Sequence, residues 1–517
     1  MRPDTEAERT LMGVTVRLGA KATEVSPLTP DSSSSPKSRS LASRSITAFS
    51  NFGVQYNYNA IAWAKLWNEA LYGDPAWAEQ LSSSAVFGGT LIGAALRRSP
   101  TALRPRPDSR LRLRHAFCPS GMLGMGYMGD AVGRRPAMVA TLSVMAAGSL
   151  LSGLAPWGSD TAVWALLCAS RFLIGIGAGG VYPLSAAKAV EDSGGDTGAK
   201  AQAAGWNLFW RNPAVLWVYL FGYILVLGIG AGAEFDMGQQ AYNPSWDAAW
   251  RIHLAFGALP VLPLIWLAFR EKESEEFQRA ARRNPLEALK EGGWWRQMIC
   301  TGGAWFCYDT AYYGNALLQP KILNTMFPDD TIEVEALKNM GVGLSGVLFS
   351  LLAIWLLPLG TRQLQVGSFL FTAALTVALA AAWMPLGKTP GLQLFLYAML
   401  YGSFWVSKIT TYVLPSEVYR VEVRSTLNGM SAACGKLGAI LGQVVFDSIL
   451  RSAAGKSQTE QSRAVQRVLY VSVWFSLGGA VLTLIGLKVE CCSRASARRL
   501  MPIRPMSSRQ AQYEQVQ

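Results

Sequence analysis

Runs of about 18–22 mostly apolar residues recur along this chain, each long enough to cross a bilayer core about 30 Å thick. In lipid every backbone polar group must be paired internally, so such repeats predict an all-α membrane protein that crosses the bilayer many times. Composition agrees where it bears on the point. Half of the residues are hydrophobic and 16% are charged, against about 25% charged in soluble domains. The 50 glycines permit close helix contacts, and the 18 tryptophans suit the membrane interface.

Twelve spans are expected. They lie near 46–66, from 82, and at 137–155, 161–184, 214–233, 252–269, 298–318, 340–357, 366–384, 392–414, 427–450 and 468–487. A charged loop at 270–297, REKESEEFQRAARRNPLEALKEGGWWR, divides them into two sets of six. This predicts an N-terminal six-helix bundle at 46–269 and a C-terminal one at 298–487, around a central cavity. Residues 1–45 are rich in Ser, Pro, Arg and Thr and predict a disordered tail; 488–517 form a second tail. With both tails in the cytoplasm, most Lys and Arg of the short loops fall inside. The loop RSAAGKSQTEQSRAVQR, with four basic residues, is the exception.

The net charge of +13 does not point to nucleic acid, because the basic residues cluster in loops beside apolar spans. Seven cysteines show no metal-ligand spacing and no disulfide pattern. Cys491 and Cys492 follow the last span, where a bland pair and a palmitoylated pair both fit. With His115 and His253 as the two histidines, a histidine metal site is not expected, and no cofactor is implied. The second span is interrupted: SSSAVFGGTLIGAAL stops at RRSPTALRPRPDSRLRLRH and resumes at GMLGMGYMG. Removing 94–120 joins one glycine-rich helix. That segment reads as an inserted arginine-rich loop, a retained intron, or a patch for nucleic acid or anionic lipid.

The motif GYMGDAVGRRP resembles the loop motif of the major facilitator superfamily: Gly126, three residues, Asp130, two residues, then Gly133, Arg134 and Arg135. Asp130 would pair with Arg134 or a neighbouring helix in a network that breaks and reforms as the bundles rock. An ordinary basic inner loop is the plainer reading. RFLIGIGAGGVYPLS places Arg171 inside a span, where a cation implies a polar pathway or a carboxylate partner. Its glycines, Gly175 among them, permit close helix packing.

That stretch and VLPSEVYRVEVRSTLNGMSAACGKLGAILGQ are together similar to the phosphate:proton symporter family, which has Gly-Gly-Asp-Tyr-Pro-Leu-Ser in the fourth span and Ser-Ala-Ala-Ser-Gly-Lys in the eleventh. Glu417 and Arg424 fall in the part of the motif that the resemblance assigns to gating. WRIHLAFGALP looks like the sixth span of the family.

GGAWFCYDTAYYGNALL carries Trp305, Asp309 and Tyr313 at i, i+4 and i+8, one face of a helix. An ionised Asp at the bilayer centre costs about 2.5–3.5 kcal/mol on insertion scales, so the site favours proton binding. The resemblance makes Asp309 the proton carrier, Trp305 and Tyr313 donors to the anion, Tyr182 a substrate contact and Lys436 the substrate lysine. A structural pair between Asp309 and a lysine is the alternative.

The chain departs from the family in three places. Val181 stands where the family has Asp, Lys408 where it has Asn, and Gln55, Asn57 and Asn59 occupy an otherwise Asp-rich stretch. In the fifth span Gln202 is the nearest glutamine to the position of the family's. Lys408 is a further substrate contact and a candidate partner for Asp309. The expected activity is secondary transport of an anion, foremost inorganic phosphate, by alternating access with a proton, in a monomer of the plasma membrane, with an organelle membrane as the alternative. Anion exchange, sugar or organic-solute transport, and a non-transporting nutrient sensor are the alternatives. No nucleophile triad or phosphate-binding glycine loop suggests an enzyme.

Overall fold

The computed structural model describes residues 36–73, 75–92, 122–193, 197–230, 242–271, 273, 289 and 293–500, with backbone alone at 36–42, 76, 79–80, 92, 123 and 487–500. The arginine-rich segment 94–120 and residues 1–35 lie outside the described residues.

Among the described residues, eight helices are long and apolar enough to cross a bilayer. They are Arg134–Leu154, Asp160–Asp192, Thr197–Gly228, Pro244–Arg270, Ile332–Leu359, Thr361–Leu386, Val421–Arg451 and Gln458–Gly486, at the third to sixth, eighth, ninth, eleventh and twelfth expected spans. Helices also occupy the other four positions. Pro36–Tyr72 is the first; Ala76–Ile92 and Met122–Ala131 flank the interruption in the second; Pro390–Val418 is the tenth. The seventh joins Trp294–Met298 to Ala304–Ala316 through a π-helical turn, Ile299–Gly303.

The seventh and tenth are less apolar for a physical reason: protein surrounds them. Residues 400–416 of the tenth are buried without a break, and all of Ala304–Ala316 but Phe306 is buried. Helices buried on every side tolerate polar groups that find partners there. The first helix begins at Pro36, inside the segment expected to be a tail. The fifth begins at Thr197, well before the expected 214, so Asn207, Arg211 and Asn212 belong to it.

The first span packs against the fourth, fifth and sixth, the second against the fourth, and the third against the fourth and sixth. In the other half the seventh packs on the eleventh and twelfth, the eighth and ninth on the tenth, and the ninth on the twelfth. The halves meet where the second faces the eleventh and the fifth faces the eighth.

The second and fourth spans touch backbone to backbone at Gly89 and Gly175. A Cβ on Gly175 would stand 2.0 Å from the Val86 carbonyl oxygen, and one on Gly89 would stand 2.0 Å from that of Phe172. Backbone cannot move aside as a side chain can. Gly175→Ala should therefore cost at least about 1–3 kcal/mol, read as a lower melting temperature of the purified protein in detergent.

Candidate functional site

At one end of the molecule a charge network ties the halves together. Asp130 Oδ2, at the end of Met122–Ala131, accepts hydrogen bonds from the Thr426 backbone N–H at 2.7 Å and from its hydroxyl at 2.6 Å. Arg134 pairs with Asp130 through Oδ1 and with Glu191 at 2.8 Å. Arg424 of the eleventh span reaches the same Glu191 at 3.8 Å. Gly126 lies against the eleventh span so closely that a Cβ would meet the Ser425 carbonyl oxygen at 2.7 Å. Gly133 has φ +135°, a conformation that favours glycine, and turns the chain so that the Arg134 and Arg135 amides donate to Glu273. The Arg135 guanidinium also lies over Phe269 at 5.1 Å.

Glu417 is placed apart from Asp130 and Glu191, accepting from the Thr361 hydroxyl at 2.9 Å within the C-terminal half. Asp130→Ala removes charge-assisted bonds worth about 1.5–3 kcal/mol each. We expect a Ser425→Cys thiol to be alkylated about tenfold faster in that background, since each 1.4 kcal/mol is tenfold.

Arg171 corrects an expectation. It has no carboxylate partner among the described residues; its guanidinium donates to the backbone carbonyls of Ser82 and Asn57, each at 2.9 Å. It thereby fastens the first, second and fourth spans together.

Midway along the helices the structure gathers a second cluster. Lys436 of the eleventh span donates to Asp309 Oδ2 at 2.7 Å. Its ammonium lies 4.2 Å from the Tyr313 ring centre and 5.2 Å from that of Tyr182. The Tyr182 and Tyr313 hydroxyls are 3.5 Å apart. Trp305 packs on Gly435, where a Cβ would meet its ring at 2.5 Å, and its ring centre is 5.9 Å from that of Tyr182. Lys408 does not pair with Asp309: it donates to Gln55 Oε1 at 3.2 Å and lies 3.8 Å over the Trp405 ring. Asp309, Lys408 and Lys436 are 1%, 4% and 0% exposed, so the cluster is closed to both ends.

Sequence reasoning missed Arg211. It is fully buried and donates to Asn51 Oδ1 at 2.9 Å, to Gln55 Oε1 at 3.4 Å and to the Tyr182 hydroxyl, over whose ring it lies at 3.8 Å. Gln202, by contrast, bonds the Ile354 carbonyl at 3.3 Å and belongs to the seam between the halves. Arg211 Nη2 and Gln55 Nε2 are buried donors without a partner among the described residues. Arg211 and Lys408 share one amide oxygen. That arrangement is poorly satisfied by protein alone and suited to an oxyanion. A signal was present: Arg211 sits in WNLFWRNPAVLW, a cation amid apolar and aromatic residues.

Comparison with known proteins agrees with this architecture. Residues 116–443 match the family model of the Major Facilitator Superfamily. The chain is 31% identical over 384 residues to the inorganic phosphate transporter PT2 of Toxoplasma gondii, covering 72% of this chain and 64% of that relative. It thus spans just under two thirds of the length of that relative. It is 26% identical over 446 residues to the inorganic phosphate transporter 1-1 of Oryza sativa subsp. japonica, covering 73% of this chain and 82% of the rice protein. A solved proton:xylose symporter bound to 6-bromo-6-deoxy-D-glucose superposes with TM-score 0.63 at 15% identity, over 85% of this chain and 96% of that one. The twelve helical spans, the two halves that enclose a buried polar centre, and the sequence match over most of the described core place this multi-pass membrane protein in the major facilitator superfamily.

Proposed function

We propose that the chain is a secondary transporter of inorganic phosphate that works by alternating access with a coupled proton. The observation that carries this reading is the charge of the central cluster. Among the described residues Arg211, Lys408 and Lys436 lie around one carboxylate, Asp309, in a fully buried setting. A cation excess inside a membrane is expensive unless an anion joins it. Phosphate brings negative charge and several acceptor oxygens for Arg211 Nη2, Lys408 Nζ and the Tyr182 and Tyr313 hydroxyls. The names of the Toxoplasma and rice relatives support the same substrate.

In this reading phosphate enters from the end opposite Asp130 while the network of Asp130, Arg134, Glu191, Arg424 and Thr426 holds the other end shut. A proton on Asp309 releases Lys436 toward the anion, and rocking of the halves breaks the network. Both tails lie in the cytoplasm, the membrane is the plasma membrane, and the monomer is the working unit. The bundles correspond to 46–269, lengthened at its start to Pro36, and 298–487. The chain carries cargo and is not an enzyme. The excess of cations favours one competing mechanism, exchange of phosphate for phosphate or a phosphate ester without proton movement.

The test is uptake of radiolabelled phosphate into proteoliposomes, with and without an inward proton gradient. Gradient-driven uptake supports symport. Uptake only into preloaded vesicles would establish exchange. No phosphate movement in either condition overturns the assignment.

A further inference from the structure

The Lys436 ammonium has three N–H donors. Among the described residues one acceptor serves them, Asp309 Oδ2 at 2.7 Å. The rest of its surroundings are aromatic. The ring centres of Tyr313, Tyr182, Tyr58 and Phe87 lie 4.2, 5.2, 5.4 and 5.4 Å from Nζ. All are within the reach of about 6 Å at which a ring face attracts a cation, and all four rings are buried, where water does not weaken that attraction. The rings brace one another: Phe87 meets Tyr313 at 4.9 Å and Tyr58 at 5.4 Å, both edge to face. The Tyr58 hydroxyl is buried without a partner among the described residues. An unpaired buried hydroxyl is costly, so hydrogen bonding does not explain this side chain, and its ring does.

Two features set this cage apart from the surroundings of Lys408. The first is where the rings come from. Tyr58, Phe87 and Tyr182 belong to the first, second and fourth spans, in the N-terminal half, whereas Lys436 and Tyr313 belong to the other half. The rings of Trp405, Tyr312 and Tyr313 near Lys408 all come from its own half. The cage of Lys436 is therefore complete only while the halves are closed over the centre. The second feature is sharing. Tyr182 also carries Arg211 over its ring, and Tyr313 also neighbours Lys408. Among the described residues Lys436 is the one cation over Tyr58 and Phe87.

A carrier that delivers phosphate and returns empty closes over this centre twice in each cycle, once with the anion and once without it. On the empty passage a buried, half-satisfied cation raises the barrier. We propose that Phe87 and Tyr58 are positioning residues: with Tyr182 and Tyr313 they hold Lys436 beside Asp309 while phosphate is absent, and so speed the return of the empty carrier. On the loaded passage phosphate oxygens draw the ammonium from the rings, and that passage depends on them little.

This inference rests on the transport reading above, and the experiment separates the two. Full-length wild type, Phe87→Leu, Tyr58→Leu and Tyr58→Phe are reconstituted in vesicles. Leucine keeps an apolar side chain and removes the ring. Phenylalanine keeps the ring and removes the unpaired hydroxyl. Gradient-driven uptake of labelled phosphate into phosphate-free vesicles needs the empty return; counterflow into vesicles preloaded with phosphate does not. Both leucine variants should lose about tenfold in the first assay and stay within about twofold of wild type in the second. Tyr58→Phe should keep wild-type rates in both. The leucine variants remove different rings, so either one that folds decides the matter. Wild-type net uptake in a leucine variant overturns the role of the cage. So does equal loss in both assays, which would make the rings structural, and so does a loss in Tyr58→Phe as large as in Tyr58→Leu, which would assign the effect to the hydroxyl. A wild type that exchanges phosphate without net uptake has no empty return, and overturns this inference while leaving transport in place. A wild type that moves no phosphate overturns the transport assignment itself.

Discussion

Asp309→Asn should abolish proton-driven phosphate uptake while sparing phosphate counterflow. Lys436 Nζ stands 2.7 Å from Asp309 Oδ2, and neither side chain is reached by solvent. Asparagine keeps the shape of the side chain and an oxygen that still accepts from the ammonium. It cannot take up a proton. The expected fall in gradient-driven uptake is about 100-fold or more, the scale on which a positioned proton acceptor contributes. Counterflow needs only that the loaded carrier reorient, so it should persist. The other half of the pair behaves differently. Lys436→Met strands a buried carboxylate, a change that costs about 3–5 kcal/mol, and should lower the melting temperature sharply. Adding Asp309→Asn to Lys436→Met removes the stranded charge and should restore much of that stability. Wild-type gradient-driven uptake by Asp309→Asn would end the role of this carboxylate as carrier; additive destabilisation in the double variant would mean that the two side chains are not coupled.

The parts of this site that were legible in the sequence share one property: each is a charge inside an apolar run. Asp309, Lys408, Lys436 and Arg171 stand out for that reason, and the family motif around Asp130 stands out by its spacing. Their partners were not legible. Asp309 and Lys436 are 127 residues apart, and Asp130 and Thr426 are 296 apart. Nothing in local spacing decides which of two lysines faces a carboxylate, so Lys408 was a reasonable partner for Asp309 until packing set it beside Gln55. Arg171 was expected to line a polar pathway or meet a carboxylate, and two backbone carbonyls serve it in place of the carboxylate. Apolarity also set the start of the fifth span too late. Trp210 alone lies between Thr197–Phe209 and Arg211–Gly228, and Arg211, Asn212 and Pro213 open the second of these helices, so a polar stretch precedes its apolar run. In the fold Arg211 and Asn212 are buried among other helices, where Asn51, Gln55 and Tyr182 accept from Arg211 and Ser350 accepts from Asn212.

Arg211→Gln should weaken phosphate binding by about 10–100-fold, since a hydrogen bond to a charged group contributes about 1.5–3 kcal/mol. The side chain is the one cation in the cluster with a planar fork of donors, and Nη2 is the arm left over after Asn51, Gln55 and Tyr182 are served. Glutamine can replace one of those internal bonds and cannot supply the charge. Arg211→Lys keeps the charge and loses the fork, so its affinity should fall between those of wild type and Arg211→Gln. A purely structural role predicts another order. Lysine would then be no better than glutamine, because neither can bridge Asn51, Gln55 and Tyr182 at once, and both variants would melt earlier with unchanged phosphate affinity per folded molecule. Equilibrium binding of radiolabelled phosphate to purified variants, beside their melting temperatures, separates these outcomes. The comparison also bears on Lys408. That ammonium shares Gln55 Oε1 with Arg211, so removing Arg211 frees the amide oxygen to serve Lys408 alone. Lys408→Asn should therefore cost more affinity in wild type than in the Arg211→Gln background if the two cations grip one anion together. Independent losses would instead place them on separate ligands.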